Sequence, residues 1–165
     1  MKIFLIGMPG SGKTTLGKKL SSELMMEFVD LDHEIEKHEG KSIPEIFLQN
    51  GEDHFRTVES KLLAQWAASA KSFVMATGGG APCFLKGIDI INKAGLSIFL
   101  DAPLPELLKR LRSKTDRPLL AAELGEKENI LKNLRETRLA CYRRAKVIVS
   151  NPNLDKLLEA VHFKK

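Results

Sequence analysis

Aromatic side chains are scarce in this chain, with eight Phe, one Tyr and one Trp among 165 residues. With so few rings, and with basic residues spread rather than gathered into runs, there is neither a stacking platform nor a basic stripe for nucleic acid. The net charge of +5 is instead the balance of a solvated surface and suits small anionic substrates. Cysteine is nearly absent: Cys83 and Cys141 stand far apart, and neither belongs to a CxxC or CxxH pattern. A disulfide framework and a thiolate metal site are thereby excluded, and a reducing compartment, the cytoplasm, is expected. Long apolar runs are also missing. The opening MKIFLIGM is too short for a signal peptide and has no small-residue cleavage site, and no run nears the roughly 18 residues of a membrane span.

What remains is an ordinary globular composition, 43% hydrophobic and 28% charged, at a length that fits one domain over residues 1–165. Short apolar runs of buried-strand type occur at KIFLI, EFVDLD, SFVMAT, LSIFLD and KVIVS, and helical spacing fills the intervals between them. HEIEKHEG reads as a short helix stopped by Gly40. SIPEIFLQNG reads as another, with Ser42 and Glu45 as a capping box and Gly51 as its stop. From Glu52 to about Ala70 a longer helix carries Phe55, Val58, Leu62, Leu63 and Trp66 on one stripe, with Arg56 off it. TDRPLLAAELGEK loses periodicity at Pro118 and Gly125 and reads as a loop or flap. Strands alternating with helices predict an α/β three-layer sandwich around a five-stranded parallel sheet, with ligand sites at the carboxyl ends of the strands.

GMPGSGKT, from Gly7 to Thr14, matches GxxxxGK[ST] between a predicted strand and a predicted helix, the context a phosphate-binding loop requires. Gly7, Gly10 and Gly12 let successive N–H groups point inward at phosphate oxygens. Lys13 then reaches the β- and γ-phosphates, and the Thr14 hydroxyl is placed for Mg2+. VDLDHE sets Asp30 and Asp32 two apart at a strand end, where an extended chain turns both carboxylates to one side. Such a pair suits magnesium at one position and a substrate hydroxyl at the other; the competing reading makes Asp32 the cap of a helix starting at His33. Thr77-Gly78-Gly79-Gly80 also ends a strand, as an anion-facing turn or as a tight turn before Pro82. Among the arginines, Arg56, Arg110, Arg117 and Arg138 are the cationic candidates. The four histidines, 33, 38, 54 and 162, lack ligand spacing and read as surface or satisfied residues.

Taken in order, GMPGSGKTT, FVDLDHEIEKHEGKSIPEIFLQNGEDHFRTVES, ATGGGA, DRPLL and RETRLACY resemble the shikimate kinase family over nearly the whole chain. That resemblance implies a nucleoside monophosphate kinase-like P-loop fold with a substrate-binding segment at about 33–60 and a lid at about 113–124. It implies ATP-dependent phosphorylation of the 3-hydroxyl of shikimate in aromatic amino-acid biosynthesis, with Mg2+. Its ATP site maps onto Gly10, Ser11, Gly12, Lys13, Thr14, Thr15, Arg110 and Arg117, and its magnesium site onto Thr14 and Asp30. Its acceptor site maps onto Asp32, also the candidate base, and onto Arg56, Gly78, Gly79, Gly80 and Arg138. Lys13, Asp32 and Arg117 carry the chemistry. A monomer acting on small molecules is expected, without nucleic acid or membrane. One departure stands out: where the family commonly shows Arg-x-Pro-x-Tyr, this chain has Arg138-Leu-Ala140-Cys-Tyr142. The alternatives are another small-molecule P-loop kinase, for gluconate or a nucleotide, and a non-catalytic nucleotide-binding module. Paired arginines suit a carboxylate better than a base, and pure binding does not require Asp32.

Overall fold

The computed structural model describes residues 1–112 and 124–163. Five strands, β1 (Lys2–Ile6), β2 (Glu27–Asp30), β3 (Phe73–Ala76), β4 (Leu96–Asp101) and β5 (Val147–Ser150), form one parallel sheet in the order β2-β3-β1-β4-β5. The helices are α1 (Lys13–Glu23), α2 (Leu31–Glu39), α3 (Ile43–Ala68), α4 (Gly87–Ala94), α5 (Leu104–Arg112), α6 (Leu124–Tyr142) and α7 (Leu154–His162). Strand residues alternate between two cores, as a sheet covered on both faces requires. Phe4, Ile6, Met75 and Phe99 pack with Ile35, Leu63, Ile88 and Tyr142 on one face. Ile3, Leu5, Val74 and Ile98 pack with Leu20, Leu157 and Val161 from α1 and α7 on the other.

Local signals in the sequence set most element ends. Gly40 caps α2 in the left-handed conformation, Ser42 and Glu45 close a reciprocal capping box on α3, and Asn153 caps α7. Gly51 adopts φ 82° and ψ 171°, breaking α3 into the two helical pieces expected from the sequence. One boundary differs from expectation. Asp32 does not end a strand or cap a helix at His33: β2 stops at Asp30, whose Oδ1 accepts from the Asp32 N–H at 3.1 Å and caps a helix starting at Leu31. Leu31, fully buried against α3's side of the sheet, makes the earlier turn favourable. A second difference is Gly125, expected in the flap but lying in the first turn of α6. The rest of the lid stretch, with Arg117, lies outside the described residues.

Register sets the functional edge. Asp30 stands level with Ala76, Leu5 with Ala76, and Ile6 with Phe99. The residues that follow, the loop after β1, the cap of α2 and the turn after β3, therefore emerge at the same rim. That rim is a switch point, because the chain leaves β1 toward β2 on one side and returns from β3 to β4 on the other. No helix among the described residues is long and apolar enough to cross a membrane.

Candidate active site

The loop after β1 curls through Gly10 at φ 80° and Gly12 at φ 95°, and Gly12 opens α1. These left-handed angles are inexpensive only for glycine, and they turn the backbone toward a common centre. Lys13 is nearly buried, and its Nζ donates to the carbonyls of Gly7 at 2.8 Å and Met8 at 2.9 Å, spanning the loop. Ser11 is fully buried, and its Oγ has no hydrogen-bond partner. Next to the loop, Thr14 Oγ1 donates to Asp30 Oδ2 at 2.9 Å. A hydroxyl and a carboxylate are hard oxygen donors, of the kind that bind Mg2+ alongside water and phosphate.

A cleft of about 390 Å3 runs from this loop to the opposite strands. Gly10, Gly12, Thr14 and Thr15 of the loop and the start of α1 line it, together with Asp30, Asp32, Thr77 and Gly79 at and beyond the ends of β2 and β3. Arg110 and Pro152, the latter in the turn after β5, also line the cleft. Arg110 donates to the Gly10 carbonyl at 3.1 Å and pairs with Glu106 one turn earlier on α5.

The three glycines after β3 have a function that their backbone angles do not reveal. A Cβ at Gly78 would stand 2.7 Å from Glu59 Oε1 and 2.9 Å from Asp32 Oδ1. One at Gly79 would stand 3.1 Å from Arg138 Nη1, and one at Gly80 would stand 2.7 Å from Arg56 Cζ. Each glycine thus makes room for a charged side chain that approaches the turn. Two carboxylates and two guanidinium groups gather along three residues.

Glu59 was not singled out in the sequence. It lies one turn beyond Arg56 on α3, and its side chain is only 3% exposed. Arg56 Nη1 donates to Glu59 Oε2 at 2.6 Å, while Glu59 Oε1 has no hydrogen-bond partner among the described residues. Burial pushes the Glu59 carboxyl above the ordinary glutamate range, and the Arg56 guanidinium offsets part of that rise. The available signal was a glutamate embedded among Phe55, Val58 and Leu62, all core residues. Arg56 itself is only 12% exposed, against the expectation of a polar, outward-facing side chain.

On α6, Arg138 approaches Gly79, and Tyr142 donates from Oη to the Gly79 carbonyl at 2.6 Å. Burial pushes the Tyr142 phenol above its ordinary range, so it stays a donor. The nearby Arg138 guanidinium offsets part of that rise. Ala140, in place of proline, leaves α6 continuous to Tyr142, and Arg138 reaches the turn from that unbroken helix. The side chains of Cys83 and Cys141, remote in sequence, come together here as free thiols. Interaction with Cys141 and burial push the Cys83 thiol up, and interaction with Cys83 pulls the Cys141 thiol down. Of the histidines, His54 pairs with Glu39 at 2.8 Å and His162 with the Leu158 carbonyl, away from the cleft, and His33 and His38 are exposed.

With this geometry in hand, comparison with known proteins decides the family: the family model described as Shikimate kinase matches residues 9–162. The chain belongs to the shikimate kinase family. Among its relatives, a shikimate kinase of Clostridium botulinum, strain Loch Maree / Type A3, is 40% identical over 161 residues, covering 96% of this chain and 92% of its own. Among solved structures, shikimate kinase from Acinetobacter baumannii in complex with shikimate superposes with a TM-score of 0.91 at 34% identity, covering 99% of this chain and 94% of that one. Shikimate kinase from Bacteroides thetaiotaomicron gives the same TM-score at 33% identity, covering 98% of both chains. As a member of that family the chain is a phosphotransferase on a P-loop α/β scaffold.

Proposed function

We propose that this chain transfers the γ-phosphoryl group of ATP to the 3-hydroxyl of shikimate, using the cleft between the GMPGSGKT loop and the Gly78–Gly80 turn. The observation that carries this reading is the set of charged side chains over the three glycines. A carboxylate beside the cleft suits a hydroxyl, and two guanidinium groups suit the carboxylate of a small polyol acid. Neither a gluconate nor a nucleotide reading is favoured by a specific feature of the site.

In this reading Gly10, Ser11, Gly12, Lys13, Thr14 and Thr15 hold the phosphates of ATP, with Arg110 and Pro152 on the nucleoside side. Thr14 and Asp30 fit Mg2+, being paired oxygen donors beside the loop. When bound, the ion supplies neutralisation of phosphate charge. Lys13 moves its ammonium from loop carbonyls to phosphate oxygens, and Asp32 accepts the acceptor hydroxyl and orients it in line. Because phosphoryl transfer is loose, positioning and charge account for most of the rate, and Asp32 orients more than it deprotonates. Arg56 and Arg138 grip the carboxylate. Arg117 keeps the phosphate role that the family resemblance implies.

A coupled ADP assay with shikimate, gluconate and a nucleoside monophosphate tests the acceptor; turnover with shikimate alone is expected. In the same assay Asp32→Asn is expected to lose about a hundredfold or more in kcat. Near-full turnover of that variant at saturating shikimate would remove Asp32 from the mechanism.

A further inference from the structure

Arg56 is held more closely than an ion pair alone requires. Its Nη1 donates to Glu59, and its Nε and Nη2 both lie 3.3 Å from Glu52 Oε1. Of five N–H groups these contacts engage three, leaving one on Nη1 and one on Nη2. The plane of the group lies against Gly80, and its Cζ stands 4.2 Å from the centre of the Phe84 ring and 5.1 Å from that of Phe55. Phe55 is a core residue, whereas Phe84 is 41% exposed. The Phe84 ring therefore sits at the surface with a guanidinium beneath it.

The turn that carries Phe84 is rigid. Cys83 N donates to the Gly80 carbonyl, Gly87 N to the Phe84 carbonyl and Ile88 N to the Pro82 carbonyl, each at 2.8 Å. Leu85 and Lys86 adopt positive φ of 46° and 61°, a conformation unfavourable for both and held by these bonds. An exposed aromatic on an ordered, strained turn calls for a function beyond packing.

We propose that Phe84 is a positioning residue for Arg56: its ring face holds the guanidinium in the orientation that presents the two remaining N–H groups to the acceptor's carboxylate. The ring's negative face attracts the cation and shields it from water, and it cannot compete for N–H groups lying in the guanidinium plane. Phe84 thereby sets both affinity for the acceptor and preference for a charged over a neutral carboxyl group. This rests on the acceptor assignment above.

The experiment compares wild type, Phe84→Leu, Phe84→Met and Phe84→Tyr with shikimate and with its primary carboxamide, melting curves checking that each is folded. Phe84→Leu and Phe84→Met are expected to raise KM for shikimate about three- to tenfold with kcat within about twofold and KM for ATP unmoved. Phe84→Tyr is expected to retain the wild-type KM, and the shikimate-over-carboxamide ratio to narrow only in the two aliphatic variants. An unmoved KM in both aliphatic variants, failure of Tyr to restore it, or equal loss for both acceptors would overturn the proposal while leaving the kinase reading intact. Absence of shikimate turnover by the wild type would overturn that reading, and this inference with it.

Discussion

At the scale of single residues, the glycine turn after β3 rests against one buried carboxylate. Glu59 accepts from Arg56 on one oxygen, and its other oxygen, over Gly78, is unpartnered among the described residues. Breaking a buried ion pair costs more than the pair contributes, because the partner's charge is stranded. Glu59→Gln keeps the shape and removes the charge, so Arg56 loses its tightest anchor while the fold survives. KM for shikimate is expected to rise about three- to tenfold in steady-state kinetics, with KM for ATP unchanged. The pH dependence has a definite sign. A carboxyl raised in the fold stabilises in full below its unfolded value, about 4.3, and loses that contribution as pH climbs through the elevated folded value. Melting temperatures should therefore show Glu59→Gln gaining on wild type as pH rises from about 4.3 through the elevated folded value, and a constant difference would contradict the linkage.

At the scale of elements, α6 and the glycine turn are tied together by a short bond from Tyr142 Oη to the Gly79 carbonyl. Tyr142→Phe leaves the ring packed on Phe99 and strands that carbonyl, at a cost of about 1–3 kcal/mol in urea unfolding. It also deprives Arg138 of its neighbour's hydroxyl, so weaker shikimate binding should accompany the lost stability. Element ends were legible in the sequence where the signal is local: Ser42 with Glu45 and the glycines at 40 and 51 all act within one helical turn. The start of α2 was misread because Leu31 fits an apolar strand pattern as well as it fits a buried first helical turn. The P-loop was legible because its chemistry is contiguous. Glu59, the thiol contact of Cys83 with Cys141 and the reason for three successive glycines were not, since each depends on side chains brought together from different elements.

At the scale of the whole molecule, 26 basic against 21 acidic residues give a positive protein, and the proposed substrates are both anions. Long-range attraction of this kind is screened over about 8 Å at physiological salt and over shorter distances above it. Raising sodium chloride from about 0.05 to 0.5 M should lower kcat/KM for both substrates severalfold, with kcat nearly constant. A salt-independent kcat/KM would show that binding is governed by short contacts alone.

The strand order has a further consequence during synthesis on the ribosome. β1 occupies the middle of the sheet, yet Lys2 pairs with Phe73 and Ile3 with Leu96, far downstream. A nascent chain displays GMPGSGKT early, but the strand beneath it has neither neighbour until β3 and β4 have emerged. The loop after β1 is thus translated well before the strands that brace it, so a product that stops short of β4 carries this motif without the sheet that holds it in place.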